Sequence, residues 1–338
     1  MPWQDPGMPD DGATGVPDRW ATAFTELVGC SVPIQQAAMG GVTTAELAIA
    51  VADAGALGML NMAMAPAAEL AAELDRITAR TAGAVGVNFL MPFLDPSAVE
   101  AAASRARVVE FFYGDPDAAL VGRVHQGPAL AAWQVGSLAE AGAAVDAGCD
   151  FIVAQGVEAG GHVRGQLALL PLLDAILDNV EVPVVAAGGI GTGRAMAAAL
   201  TAGASGVRVG TRFVACPEAN AHPSYVEALI RSSAEDTVLT TAFSVMWPDA
   251  PHRVLRSCVD AAAAAPDGYV GETSVGERRF EVPKFSVLPP GRDTTGRIEA
   301  MALYAGQSVG ALTRAATAAE VVRELADGAA RRLGGRLG

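Results

Sequence analysis

FIVAQGVEAGGHVRG, residues 151–165, contains the change of pattern on which the fold reading turns. Phe151 to Ala154 is an apolar run of strand length. It gives way to a loop that gathers Gln155, Glu158, Gly160, Gly161 and His162. Glycine lets a backbone approach a flat or anionic ligand closely, and histidine titrates near neutral pH. A ligand-sized gap beside an acid/base group, at the C-terminal tip of a strand, is where an α/β enzyme keeps its chemistry.

The same pattern recurs on both sides of this segment. Short apolar runs at Val32–Ala38, Leu57–Leu60, Ala84–Leu90, Val108–Tyr113, Ala129–Gln134, Asp150–Ala154, Val182–Ala187 and Gly206–Gly210 alternate with helical stretches. The runs are continuous rather than alternating, as expected of parallel strands covered on both faces. Thr43 with Glu46, and Ser137 with Glu140, have the spacing of capping boxes, with stops near Gly55 and Gly148. Arg194 to Ala202 is Ala-rich and closes at Gly203. These βα units predict an α/β fold, a (β/α)₈ TIM barrel, with an open doubly wound sheet as the alternative. After Gly210 the rhythm changes. Glu218–Ala234 and Ile298–Leu325 read as helical, and 226–296 shows no strand–helix alternation. The expected organisation is a flexible lead-in over 1–18, a barrel over 19–225 and 297–338, and a smaller, mainly helical subdomain over 226–296.

Composition narrows the function classes. The formal net charge is −14 and Lys284 is the only lysine, which argues against a nucleic-acid partner, since phosphate binding needs basic patches. Cys30, Cys149, Cys216 and Cys258 show no CxxC or CxxH spacing, so neither a metal site nor a disulfide framework is expected. There is no secretion-signal pattern and no apolar run of the roughly 18 residues that a membrane span needs. A cytoplasmic location is the default expectation.

VPVVAAGGIGTG, residues 182–193, leads from a strand through a glycine cluster into a helix start. Backbone N–H groups and the helix dipole make such a junction an anion site, and barrels commonly bind phosphate beyond strands seven and eight. Gly188 and Gly189 sit there, and Gly210 and Thr211 end the next run. The spacing fits neither the dinucleotide fingerprint nor a P-loop. The plainer reading is tight turns alone. His162, similarly, competes with an inert solvated loop histidine. His125, His222 and His252 lack comparable surroundings and read as surface or capping residues. Glu158 either orients His162 or caps the loop. Met39, at the end of PIQQAAMGG (33–41), faces a flat ring or belongs to the core. Asn88 is either a site group or a turn residue. Phe243, Met246, Trp247 and Phe285 could roof a pocket, but each by itself reads as core.

PIQQAAMGG, VNFLMP (87–92), AQGVEAGGHVRG (154–165), VPVVAAGGIGTG, GVRVGTRF (206–213) and LYAGQSVG (303–310) together resemble the nitronate monooxygenase family, once called 2-nitropropane dioxygenases, and related FMN barrels. The resemblance covers about 25–225 and 298–312. It implies one non-covalent FMN. Gly188, Gly189, Gly210 and Thr211 would hold its phosphate. Asn88, Gln155, Gly160 and Gly161 would lie along the flavin or ribityl chain, and Ala37, Ala38 and Met39 would back the ring. His162 matches the family's catalytic histidine. Val163-Arg164-Gly165 and Arg208 depart from the family pattern. The implied activity is oxidation of alkyl nitronates or nitroalkanes by O2. The alternatives are an NAD(P)H-dependent flavin reductase acting on quinones or enoyl thioesters, and a flavin-binding protein without turnover.

Overall fold

The computed structural model describes residues 20–61, 66–275 and 278–334; the expected lead-in over 1–18 lies outside them. The strands, in chain order, are β1 (Ile34–Gln36), β2 (Gly58–Asn61), β3 (Val85–Leu90), β4 (Val108–Phe112), β5 (Leu130–Val135), β6 (Phe151–Gln155), β7 (Gly161–His162), β8 (Val184–Ala187), β9 (Gly206–Val209), β10 (Thr237–Thr240), β11 (His252–Leu255), β12 (Tyr269–Val275), β13 (Arg278–Pro283) and β14 (Thr295–Gly296). Eight of them form one parallel sheet in the order β1-β9-β8-β6-β5-β4-β3-β2. A parallel bridge between Gln35 and Leu57 joins its two edges and closes the barrel. The helices are α1 (Ala23–Val28), α2 (Ala45–Asp53), α3 (Ala67–Thr78), α4 (Pro96–Ala103), α5 (Ala118–Val124), α6 (Leu138–Asp146), α7 (Leu169–Leu177), α8 (Gly193–Thr201), α9 (Thr211–Val214), α10 (Pro223–Ile230), α11 (Arg256–Ala264) and α12 (Ala318–Leu333). Ser137 caps α6 as its sequence suggests, whereas the cap of α2 is Thr44, one residue later than Thr43.

Alternate residues of each barrel strand enter one of two apolar clusters. Val109, Phe111, Ala131, Trp133, Ile152 and Ala154 pack outward against the helices. Leu57, Met59, Val108, Ala132, Phe151, Val153, Val185 and Ala187 fill the interior together with Phe24 and Val28 of α1. This is the period-two alternation a barrel imposes. Phe24 meets Phe151 edge-on, ring centroids 5.5 Å apart, so α1 plugs the N-terminal end of the barrel. Two residues further along the strands, the inward positions turn polar: Asn88, Glu110, Gln134, Gln155 and Arg208, all buried. Apolar below and polar above, the interior directs its chemistry to the C-terminal mouth.

The inserted segment differs from the expected helical unit. Among the described residues it holds β10 to β14, the end of α10, and α11 between β11 and β12. β12 pairs antiparallel with β13 and β14, and β10 with β11. Strands such as Tyr269–Val275, with Gly271, Glu272 and Ser274, lack the apolar run that marks a buried strand, because one face meets water. The segment 298–317 is not a continuous helix either. It contains 3₁₀ turns at Ile298–Ala300 and Gln307–Ala311 before α12 begins. No helix among the described residues is long and apolar enough to cross a membrane.

Candidate active site

His162 is fixed by its backbone first. β7 pairs antiparallel with β11, with His162 opposite His252, and Val163 N donates to Pro251 O at 2.8 Å. Gln155, at the tip of β6, donates from Nε2 to His162 O at 3.0 Å. The ring then enters an aromatic cage. Trp247 stacks on it with centroids 4.0 Å apart and planes 22° apart. Tyr113, His252 and Tyr304 lie at 5.9, 5.4 and 5.7 Å. His162 Nε2 is buried with no hydrogen-bond partner. Burial, and secondarily the neighbouring His252, pulls its pKa down from 6.5 to about 3, because an imidazolium there would lose its hydration. The ring is therefore neutral at pH 7.

His252 corrects the sequence reading that made it a surface or capping residue. It is wholly buried; Phe243 N donates to its Nε2 at 3.2 Å and its Nδ1 lies 2.8 Å from Ala250 O. Accepting at Nε2 assigns the proton to Nδ1, so both nitrogens are satisfied in a neutral ring. The other two histidines are where expected. His222 caps α10, and His125 pairs with Asp150 at the surface. Trp247 is more than core filling, since one face of its indole lies on His162. Met246, half-exposed, is not core. Glu158 does not orient His162; both its carboxylate oxygens accept from Leu169 N at 3.0 Å, capping α7. Val163 is buried, and Arg164 reaches away to Glu140 at 2.7 Å and to Asp115.

The expected phosphate residues converge. Gly188 and Gly189 adopt φ of 107° and 68° beside Ala159 and Glu158. A Cβ on Gly210 would come within 3.3 Å of Ala37 Cβ and 3.9 Å of Met39 Sδ, so the tips of β9 and β1 adjoin. Thr211 Oγ1 accepts from Gly306 N at 3.0 Å, and Gln307 N donates to Glu158 O at 2.9 Å. Gly160 is required by close approach: a Cβ there would meet Gly306 N at 2.4 Å. Gly161 faces open space, at φ 78°. Ala37 N is held by Val209 O at 2.8 Å and Met39 N by Thr43 Oγ1 at 2.9 Å, while Ala38 packs on the interior cluster. Small residues of the loops after β1, β6, β8 and β9 thus lie close together at the C-terminal mouth, in a cradle with little side-chain bulk.

Under this cradle lies a network in which Asn88 and Arg208, both singled out in the sequence, meet through Glu110, which was not. Asn88 Nδ2 donates to Glu110 Oε1 at 2.7 Å and Gln35 Nε2 to Glu110 Oε2 at 2.9 Å. Arg208 bonds both Glu110 and Gln134. A glutamate in the apolar run VVEFF was the available signal, since a carboxylate is almost never fully buried unpaired. A surface cavity of about 500 Å³ lies elsewhere, between α10, α11 and the 294–299 segment. It gathers neither the cage nor the glycine loops, so the site is assigned to the barrel mouth.

Comparison with known proteins agrees with this geometry. The nitronate monooxygenase family model matches residues 21–103 and 98–328. The (3aS,4S,5R,7aS)-5-hydroxy-7a-methyl-1-oxo-octahydro-1H-indene-4-carboxyl-CoA dehydrogenase of Mycobacterium tuberculosis is 36% identical over 243 residues, 71% of this chain and 67% of that protein. The nitroalkane oxidase of Streptomyces ansochromogenes superposes with a TM-score of 0.74 at 30% identity, covering 93% of this chain and all of the other. FabK of Thermotoga maritima gives 0.78 at 26% identity, over 93% of this chain and 97% of its own.

Proposed function

We propose a reaction for a chain that belongs to the nitronate monooxygenase family and is a flavin-dependent oxidoreductase: the oxidation of a nitroalkane or its nitronate by O2, with FMN as cofactor and His162 as general base. Gly188, Gly189, Gly210 and Thr211 hold the phosphate. Asn88, Gln155, Gly160 and Gly161 line the ribityl chain and ring, which the backbone of Ala37 to Met39 supports from behind. Residues 226–296 cover the substrate. The flavin, when bound, takes the electron pair from the carbon acid and passes it to O2.

The observation that carries this reading is the neutral His162, with a buried, unpartnered Nε2. A neutral imidazole can accept the proton on the carbon that bears a nitro group; a standing imidazolium cannot. Burial opposes that uptake by lowering the ring's basicity, and the nitronate anion formed beside the imidazolium would offset the cost by its opposite charge. Structural likeness to a nitroalkane oxidase at 30% identity supports the same substrate class.

The test is a flavin absorption spectrum followed by oxygen uptake with a small nitroalkane and its preformed nitronate. His162→Asn should keep FMN while slowing turnover of the neutral nitroalkane by roughly 10²–10⁴-fold, the usual worth of a general base. Unchanged turnover in that variant would rule the base out. A second reading is favoured by the 36% identical carboxyl-CoA dehydrogenase: His162 removes the α-proton of a thioester, and O2 is not the obligate acceptor. Anaerobic bleaching of the flavin by an acyl-CoA selects this reading. Bleaching by NADPH instead selects a nicotinamide-fed reductase.

A further inference from the structure

We propose that Arg212 is a positioning residue for the flavin phosphate: held by Glu324 of α12, its guanidinium draws the Gly191 carbonyl toward itself and so fixes which way the peptide N–H of the 188–193 turn faces. The inference rests on the flavin reading above and extends it to a residue not assigned there. Arg212 follows Thr211 in GVRVGTRF (206–213), and it is buried. Its Nη1 donates to Gly191 O at 2.9 Å and its Nη2 to Glu324 Oε2 at 2.6 Å. Nε is buried without a partner, so among the described residues these two bonds seat the guanidinium. Glu324 is seated in turn, since Arg314 Nη2 donates to its other oxygen at 2.6 Å.

A trans peptide is planar, with its C=O and N–H pointing in opposite directions. Gly191 O, drawn to Arg212, therefore aims the N–H of Thr192 the other way, away from the guanidinium and Glu324. Both flanks of this peptide are packed. A Cβ on Gly191 would meet Ser308 Cβ at 2.9 Å, and one on Gly193 would meet Gly328 C at 2.4 Å. What remains free is rotation of the peptide plane, which a glycine at 191 allows, and the Arg212 bond removes that freedom. A rotated peptide would present the Gly191 oxygen where the N–H now lies, and a carbonyl facing a phosphate repels it. Among the described residues no hydrogen bond occupies the N–H of Gly189, Ile190, Gly191 or Thr192, at the entry to α8. Those are the donors a phosphate takes at a helix start, and Arg212 decides how one of them is aimed.

The experiment titrates flavin-free wild type, R212Q and E324Q with FMN and with riboflavin, which has the same ring and ribityl chain but no phosphate. Flavin fluorescence reports binding, and melting temperature is checked first. A loosened fold weakens both ligands together, whereas a mis-aimed phosphate donor weakens FMN alone, so the ratio of the two affinities is the readout. R212Q should lower the preference for FMN at least about tenfold, the usual worth of a hydrogen bond to a charged group, while riboflavin stays within about threefold of wild type. A folded R212Q protein whose preference for FMN stays within about threefold of wild type overturns the inference, as does an equal loss of both flavins. If R212Q does not fold, E324Q decides: without its carboxylate partner the guanidinium loses its seat, and an unchanged preference there overturns the inference equally. Wild type that binds both flavins alike overturns it too. Wild type that binds neither instead sinks the cofactor reading itself, which separates the two failures.

Discussion

The indole of Trp247 covers one face of the His162 imidazole, 4.0 Å away and nearly parallel. The segment that delivers it is strained. Met246 and Asp249, on either side, have φ of 80° and 55°. Tyr113, at φ 67°, lies 4.6 Å from the same indole, and Phe285, at φ 61°, accepts from Val245 N at 3.0 Å. Among the described residues these are the non-glycine residues with positive φ; Tyr113 meets the His162 ring itself, and Met246 and Asp249 flank the tryptophan stacked on it. Strain concentrated in this way is retained where the surroundings over-determine it, as functional sites do.

Removing the indole should therefore change acid–base behaviour as well as packing. Trp247→Ala uncovers His162 to water, and its pKa should climb from about 3 back toward 6.5. A histidine ring NMR titration reads this directly. The fold should weaken by roughly 3–5 kcal/mol, the usual cost of truncating a buried aromatic. An unmoved titration would show that Trp247 does not shield the ring.

Stability should depend on pH through the same group. The unfolded His162 binds a proton near 6.5 and the folded one only near 3, so between those values the unfolded chain holds more protons. Folding stability then falls as pH drops from about 6.5 toward 3 and is unaffected by this group above that window. The difference between the urea midpoints of wild type and His162→Asn should be constant above pH 7 and shift against wild type below pH 6.

Met246→Gly tests the strain. Met246 is 50% exposed and loses little contact, while a left-handed backbone costs a side-chain-bearing residue about 1–2 kcal/mol. Glycine's greater freedom when unfolded returns about 0.5–1 kcal/mol of that. A net gain of up to about 1 kcal/mol is expected in chemical denaturation, and a loss would contradict it.

Gly160 and Gly161 should respond differently to alanine. At Gly160 the new methyl meets Gly306 N at 2.4 Å and Ala305 C at 2.7 Å. It drives the 305–306 segment away from Thr211, costing about 1–3 kcal/mol and weakening flavin retention. At Gly161 nothing lies within 4 Å, and only the φ of 78° is penalised, by about 1–2 kcal/mol. Parallel thermal melts and flavin titrations distinguish the two.

The barrel was legible because its strands are buried on both sides. Runs such as Val108–Tyr113 and Val182–Ala187 mark Val108–Phe112 and Val184–Ala187 to within a residue or two. The glycine loops were legible for a related reason: their conformations are local. The cage and the floor were not. Glu110 and Arg208 meet across 98 residues of chain, and His162 pairs with His252 across 90. No local periodicity encodes partners that distant. Strands with one wet face, such as β12 and β13, also lack the apolar signature. Hence the insert read as helix.

β7 is only two residues long, yet it makes the histidine the edge of a sheet whose other strands belong to the insert. The imidazole thus has two owners. Grafting a foreign insert onto this barrel would therefore shift the backbone that carries the ring, because β7 has its strand partner in the insert.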